Sequence, residues 1–340
     1  MLQRVAQARY RDDDDLYKLA ARTAWETLIR CQETLRVDVT AMRSPLRSLN
    51  FATLRVKDGI VDRLRDQTGE RPSIDTRSPG SRVFAFLDER NVTLYLDYSG
   101  ASLFKRGWRS GAGDKGEAPL KENLAAGLLA LTGWQPEVPL YDPFCGSGTI
   151  VIEAAQIAAG IAPGLSRGFG FERHMNFDAA LWSALRNSAI RQAQATTVAP
   201  RIAASDIDAA ALAQTRLNLQ RAGVRDGTVR LQQVDFRHAS APFDSAGLIV
   251  SNPPYGERVS LQSSQGDAGD FGAFSHSLKQ HFAGWTACFL SNDAQLPRQL
   301  GMKEKRKTPL FNGPIECRLF CFEVRAGGQP QASPGEVQRP

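Results

Sequence analysis

The sequence predicts an α/β protein in which a small α+β domain precedes a doubly wound domain with a mostly parallel sheet. From about residue 120 onward, strand-like apolar runs alternate with helix-like runs, which is typical of parallel sheets covered by helices. Before that point the pattern is different, with helix-like runs followed by two alternating strands close together. A length of 340 residues is enough for about two domains of ordinary size.

The first domain is expected over residues 1–104. Residues 16–30 predict a helix, and the alternation at 35–39 predicts a strand. Apolar side chains recur on one face of 51–68, and Gly69 stands where a helix C-cap belongs. The runs "SRVFAFL" and "NVTLYLDYS", joined by four polar residues, predict a β-hairpin.

The second domain is expected over residues 120–325. Its predicted strands lie in "VPLYDP", "RIAASD", "VRLQQVD" and "GLIVSNPP", and "GTIVIEAAQIAAG" and "DAAALAQTRLNLQRAG" predict helices between them. Residues 105–119 are basic, rich in glycine and poor in apolar residues, which predicts a linker between the domains. The tail at 326–340 has the composition of a disordered segment.

Composition excludes several classes of protein. The apolar stretch at 150–161 is short and interrupted by Glu153 and Gln156, so no run is long enough to span a membrane. The N-terminus lacks the apolar core of a signal peptide. Five irregularly spaced cysteines form neither a disulfide framework nor a zinc pattern, and Cys317 and Cys321 are expected as buried strand residues. We therefore expect a reduced, cytoplasmic protein without a metal ion.

Polar side chains follow four predicted strands, at the edge where an open parallel sheet binds its ligands. Asp142 ends the first strand and precedes a glycine loop, "CGSG", that opens a helix. Asp206 and Asp235 follow the next two strands, where acids accept hydrogen bonds from a ribose and from an adenine amino group. Each aspartate taken alone is more simply a helix N-cap. Together with Asn252 after the fourth strand, they indicate a pocket for a nucleoside-bearing cofactor.

The "NPPY" stretch after the fourth strand combines an amide, two prolines and an aromatic ring. Prolines cannot donate to a sheet ladder and stiffen the residue before them, so a strand end and a plain turn are the simplest interpretation. The alternative is a clamp for a planar amine. The Asn252 side-chain carbonyl and the Pro253 backbone carbonyl would each accept one N–H, and Tyr255 would stack on the base.

These motifs resemble class I, Rossmann-like methyltransferases that use S-adenosylmethionine (SAM). More narrowly, "LYLDYSGASLFKRGWR", "DPFCGSGTIVIEAA" and "SNPPYGER" are similar to the THUMP-domain RNA guanine-N2 methyltransferases. The resemblance implies an RNA-binding THUMP domain before the catalytic domain. Members of that family usually carry a ferredoxin-like segment before THUMP, whereas this chain is expected to begin at THUMP itself.

The resemblance also implies site residues. The predicted catalytic residues are Asn252, Pro253, Pro254 and Tyr255, and the predicted SAM-binding residues are Asp142, Phe144, Gly146, Gly148, Thr149, Asp206 and Asp235. Residues 1–118 hold 21 Lys and Arg against 17 Asp and Glu, a positive excess that suits a polyanionic partner. Cations and a tryptophan alternate in "KRGWR", which predicts contact with the RNA backbone by Lys105, Arg106, Trp108 and Arg109. The alternative for Trp108 is a side chain packed between the domains.

The sequence is compatible with several functions. Large-subunit ribosomal RNA is favoured as the substrate and transfer RNA is second. An adenine-N6 DNA methyltransferase fits "NPPY" equally well, and a methyltransferase of protein glutamine amides would need a protein-docking first domain. A non-catalytic RNA-binding factor is the alternative from another class, and the sequence leaves the oligomeric state open.

Overall fold

The computed structural model describes residues 1–109, 120–196, 199–253 and 269–326. The chain divides into two compact units. The first contains Met1–Leu103 together with Ser166–Ser188, and the second contains the rest of the described chain from Phe104 onward. No helix in the described ranges is long and apolar enough to cross a membrane.

The first unit is an α+β structure built on a mixed sheet. Its sheet has the order β1-β4-β3-β2, with β3 and β4 antiparallel and β2 parallel to β3. The predicted hairpin and the predicted helix before it are therefore confirmed, and Gly69 caps that helix with a φ of 76°. The elements are β1 (Leu2–Arg9), α1 (Asp13–Arg22), a 3₁₀ helix (Trp25–Thr27), β2 (Leu35–Ala41), α2 (Leu49–Thr68), β3 (Ser81–Leu87) and β4 (Asn91–Asp97).

Two features of the first unit differ from the prediction. The helix expected to Arg30 stops at Arg22, because the Thr23 hydroxyl and the buried Trp25 indole N–H donate to carbonyls of its last turn instead of letting the helix continue. Strand β1 was not predicted. It pairs with β4 at the edge of the sheet and is largely exposed, so its sequence lacks the apolar alternation of a half-buried strand.

The second unit is a doubly wound sheet with the order β10-β11-β9-β8-β5-β6-β7 in the described residues. Strands β5 to β9 run parallel, and β10 and β11 add an antiparallel edge. This confirms the predicted fold class. The elements are α3 (Glu122–Thr132), β5 (Leu140–Asp142), α4 (Thr149–Ala158), β6 (Ile202–Asp206), α6 (Ala209–Arg221), β7 (Val229–Gln233), β8 (Leu248–Ser251), α7 (Gly269–His281), β9 (Thr286–Ser291), α8 (Leu296–Gln299), β10 (Arg306–Asn312) and β11 (Ile315–Glu323). Helix α5 (Ala179–Ala195) is divided, with 179–188 in the first unit and 189–195 in the second.

The boundaries between the units differ from the expected 104/120 division. Phe104 and the first residues of the expected linker, 105–109, belong to the second unit, and the Trp108 side chain is only 2% exposed in its core. The insertion between β5 and β6 is also divided between the two units, because 166–188 belongs to the first unit. There the Arg167 guanidinium donates to the backbone carbonyl of Ser99 at 2.8 Å. The rest of the linker, 110–119, and the tail from 327 lie outside the described residues.

One disulfide was not predicted. Cys288 on β9 and Cys321 on β11 lie directly opposite each other in the antiparallel register and are bonded. They are 33 residues apart in sequence, so spacing alone gave no sign of the pair. Cys321 and Cys317 are nevertheless buried strand residues, as expected.

Candidate active site

The carboxyl ends of four parallel strands bring the predicted polar residues to one edge of the sheet. Asp142 and Asp206 end β5 and β6, Asp235 lies two residues after β7, and Asn252 directly follows β8. Strand β5 lies between β6 and β8, so the strand order reverses there. The crevice at such a switch point is where open α/β sheets bind ligands. Asp142 and Asn252 therefore stand on adjacent strands at this point.

The loop from β5 to α4 has the geometry of a ligand cradle. Gly146 and Gly148 have φ values of 53° and 84°, in the left-handed region that residues with a side chain rarely adopt. A Cβ on Gly146 would meet no heavy atom within 4 Å, so there is open space beside this part of the loop. Phe144 is half-buried, with its ring centroid 5.4 Å from that of Phe236. Thr149 begins α4.

Two polar residues of α6 hold this loop from behind, and the sequence did not single them out. The Thr215 hydroxyl donates to the Gly146 carbonyl at 2.7 Å, and the Asn218 side-chain amide donates to the Ser147 carbonyl at 3.0 Å. Both side chains are fully buried. Their signal in the sequence is weak, since two polar residues three apart in a helix are usually exposed.

Asp142 connects the loop to the strand that carries Asn252. The Ser251 hydroxyl donates to Asp142 Oδ1 at 2.5 Å, and the backbone N–H of Phe144 donates to the same oxygen at 3.3 Å. Burial raises the pKa of Asp142 to about 7, and the Ser251 hydrogen bond opposes that rise. Sequence reasoning missed Ser251. Its hydrogen bond fixes the residue immediately before Asn252.

The other two carboxylates are more exposed than Asp142. Asp206 accepts hydrogen bonds from the backbone N–H groups of Gly146 at 2.9 Å and Asp208 at 3.0 Å, so it touches the glycine loop across 60 residues of sequence. Asp235 caps a short 3₁₀ helix by accepting from the Arg237 backbone N–H. The Arg237 guanidinium beside it holds the pKa of Asp235 below its usual range. Asp235 is therefore a helix N-cap, as the simpler interpretation has it, and its side chain also lies at the ligand-binding edge of the sheet.

The described part of the "NPPY" stretch ends at Pro253. Asn252 is half-buried and Pro253 is buried. Pro254 and Tyr255 lie outside the described residues.

The residues expected to contact RNA between the domains differ in their exposure. Lys105 is exposed. Trp108 is buried and offers no free ring face, and the side chains of Arg106 and Arg109 bind polar groups inside the second unit. The burial of Trp108 agrees with the alternative of a packed side chain, and contact of RNA with the basic residues of this segment stays a prediction. No group of His, Cys, Asp and Glu side chains suited to a metal ion occurs among the residues that the structure describes.

The chain is similar to known proteins over nearly its whole length. A family model described as UPF0020, RMKL-like, methyltransferase domain matches residues 106–320, and a THUMP domain model matches 10–97. The chain is 38% identical over 338 residues to the ribosomal RNA large subunit methyltransferase K/L of Syntrophotalea carbinolica, covering 95% of this chain and 46% of that protein. It thus spans about half the length of this relative.

Two further similarities cover most of both chains. The Synechocystis sp. protein slr0064, named as an RNA methyltransferase, is 34% identical over 325 residues, which are 95% of this chain and 83% of that protein. The crystal structure of SMU.472, a methyltransferase complexed with SAH, superposes with a TM-score of 0.82 at 29% identity, covering 96% of this chain and 84% of that one. The chain belongs to the RMKL-like methyltransferase family and carries a THUMP domain ahead of its methyltransferase domain.

Proposed function

We propose that this protein is a SAM-dependent RNA methyltransferase that modifies the exocyclic N2 amine of a guanosine. Large-subunit ribosomal RNA is the favoured substrate. Because this RNA is cytoplasmic, we expect the enzyme to be cytoplasmic as well. The observation that carries the proposal is the hydrogen bond from Ser251 to Asp142, because it joins the amine-binding strand end to the cofactor loop. The name of the Syntrophotalea relative supports ribosomal RNA as the substrate.

The residues at the sheet edge fit SAM. The open space beside Gly146 leaves room for a ligand against the loop backbone, and Asp206 reaches the same loop with a partly exposed carboxylate. We assign the ribose hydroxyls to Asp206, the adenine amino group to Asp235 and the loop backbone to Gly146, Gly148 and Thr149. SAM supplies an electrophilic methyl group when bound.

The chain's own contribution is to orient the amine. A purine exocyclic amine is a poor nucleophile because its lone pair is delocalised into the ring. If the Asn252 side-chain carbonyl and the Pro253 backbone carbonyl each accept one N–H, the nitrogen is favoured in a pyramidal form with its lone pair directed away from both. The acceptors are held before the substrate arrives, which is preorganisation. No base is required before methylation, since the amine becomes acidic only afterwards.

The cofactor assignment is tested by calorimetry with SAM. Asp206→Ala should weaken binding by about 1–3 kcal/mol, the cost of leaving the hydroxyls of the bound ribose without their hydrogen-bond acceptor. Asp226→Ala, at an exposed position in the same unit, is the control and should bind as the wild type does. Equal affinity of the wild type and Asp206→Ala would remove Asp206 from the site.

The substrate assignment is tested by nucleoside mass spectrometry. Purified protein is incubated with SAM and with large-subunit ribosomal RNA, transfer RNA or double-stranded DNA, and the digested nucleosides are analysed. We expect N2-methylguanosine from ribosomal RNA. N6-methyladenine in DNA would establish the alternative instead, and bound SAM without any methylated nucleoside would favour a non-catalytic role.

A further inference from the structure

Helix α4 follows the glycine loop directly, so the orientation of the helix affects the geometry of the loop. It begins at Thr149, the residue after Gly148, and nine of its ten residues are buried. A helix that is apolar over most of its surface can be buried in more than one rotation about its axis, because apolar contacts are not directional. Something directional is therefore needed if the loop at its N-terminus is to keep one geometry.

Thr149 and Glu153 form a polar face on this helix. They are four residues apart and so lie on the same side, and both are buried. The Arg106 guanidinium binds Glu153 through two hydrogen bonds, from Nε to Oε1 at 3.0 Å and from Nη2 to Oε2 at 3.2 Å. This fork fixes the direction of the Glu153 side chain as well as its distance.

Arg109 binds the other end of the same face. Its Nη2 donates to the Thr149 hydroxyl and, at 3.0 Å, to the Leu120 carbonyl. Its Nε lies 3.5 Å from a carboxylate oxygen of Glu122, a buried residue in the first turn of α3. Arg109 thus ties the first residue of α4 to the start of α3.

Stability alone does not account for these charges. Buried ion pairs lose hydration that their attraction only partly restores, and apolar residues of similar volume often stabilise a core equally well. Burial also raises the pKa of Glu153, although Arg106 opposes that effect. What the pairs provide beyond packing is a fixed direction.

We propose that Arg106 and Arg109 are positioning residues for the cofactor, which hold α4 in the rotation that gives the glycine loop its binding geometry. The inference rests on the proposed SAM site. Neither arginine touches the cofactor in this assignment; each acts through α4. The pair falls in the sequence segment "KRGWR", so the same residues that suggest RNA contact would instead serve the methyl-donor site.

The test replaces the charged pair by apolar residues of similar size, in Arg106→Met with Glu153→Leu. We expect a thermal midpoint close to that of the wild type, because the core remains filled. We expect the Kd for SAM, measured by calorimetry well below that midpoint, to rise roughly fivefold or more, the usual size of a coupling between a site and residues outside it. The KM for SAM should rise while the KM for RNA stays unchanged.

Arg109→Lys provides a second variant, which decides if the double variant does not fold. A lysine keeps the charge but cannot bind Thr149, Leu120 and Glu122 together from one planar group. The control is Arg63→Lys in the first unit, where the half-buried Arg63 binds one carboxylate, that of Glu26, with Nε at 3.0 Å. We expect weaker SAM binding for Arg109→Lys and wild-type binding for the control.

The outcomes separate this inference from the proposed function. SAM affinity unchanged in both test variants, whether or not their thermal midpoints fall, would show that the arginines are only structural and overturn the inference. Failure of the wild type to bind SAM would overturn the proposed function itself.

Discussion

At the scale of single residues, the candidate site depends on what precedes Asn252. Ser251 is completely buried at the end of β8, and its hydroxyl binds Asp142 on the adjacent strand. The backbone that leads into Asn252 is therefore fixed from the cofactor side of the sheet. Asn252 itself is only half-buried, which leaves its amide available to a substrate.

Asn252→Ala should abolish most of the activity while the binding of SAM and RNA stays nearly unchanged. Removing one preorganised polar contact from a reacting site lowers the rate by about 10²- to 10³-fold. The carboxylate in Asn252→Asp still accepts the N–H. Its negative charge stabilises the positively charged cofactor more before the reaction than in the transition state, so we expect partial activity. Single-turnover rates on the RNA substrate measure both. A normal rate for Asn252→Ala would show that "NPPY" is only a strand end followed by a turn.

Asp142 predicts a distinct dependence of stability on pH. Its pKa in the folded protein is raised to about 7, whereas an exposed aspartate titrates near about 4. The folded state therefore retains a proton that the unfolded state has lost, so the contribution of Asp142 to stability is full below about pH 4 and is lost as the pH rises to about 7.

Asp142→Asn should remove this dependence, because an amide keeps an acceptor for Ser251 and does not ionise. Relative to the wild type, we expect its free energy of unfolding to increase by on the order of a few kcal/mol between about pH 4 and 7. Urea unfolding at several pH values measures the difference. The exposed Asp226→Asn should follow the wild type, and parallel curves for the wild type and Asp142→Asn would contradict the assignment.

At the scale of elements, the turn from β5 into α4 is constrained by its neighbour α6. Gly148 combines a φ of 84° with a close neighbour, since a Cβ there would lie 2.7 Å from Cγ2 of Thr215. Thr215 cannot move away freely, because its hydroxyl holds the Gly146 carbonyl. The loop and α6 therefore have to fit each other.

Gly148→Ala should accordingly be more destabilising than an alanine at another position whose backbone is in the left-handed region. Gly223 has a similar φ of 71° after α6, but a Cβ there would meet no heavy atom within 4 Å, so Gly223→Ala should cost only the backbone strain of about 1–2 kcal/mol. We expect Gly148→Ala to lose more stability and also SAM affinity. Thermal unfolding and calorimetry compare the two, and equal losses with unchanged SAM binding would contradict the steric account.

At the scale of the whole molecule, the division into units changes how an RNA-binding role of the first unit, which we propose, can be tested. Truncation near residue 104 would leave 166–188 without the unit it packs in. Substitution of exposed cations avoids this. Arg43 and Arg47 are exposed between β2 and α2, and Arg43 is a non-glycine residue held at a φ of 59°. Such strain is often kept at functional positions.

Arg43→Gln with Arg47→Gln should weaken RNA binding and leave SAM affinity unchanged. Removing one phosphate-binding cation should reduce the slope of log affinity against log salt by about 0.7–0.9. Titrations of RNA at several salt concentrations measure this slope. Arg225→Gln, an exposed cation of the second unit, is the control. A salt slope that falls with Arg225→Gln alone would assign the RNA affinity to the second unit.

The sequence by itself determined the fold class, strands β2 to β8 in their order along the chain and the four polar strand ends of the second unit. Periodicity and turn residues act over a few neighbouring positions, so they can be recognised in one sequence. Asp142, Asp206 and Asn252 were predictable because the carboxyl ends of parallel strands meet at one edge whatever the details of packing. Only the roles of these residues remain proposals.

Only the tertiary structure decided which side chains support that edge. Ser251 is 109 residues from Asp142, Thr215 is 69 from Gly146, and Arg106 is 47 from Glu153, so no local pattern connects them. The same limit explains the "KRGWR" segment. Its cations and aromatic ring suggest an exposed nucleic-acid surface, but whether a charged side chain is exposed or buried depends on partners that the chain brings together only when it folds.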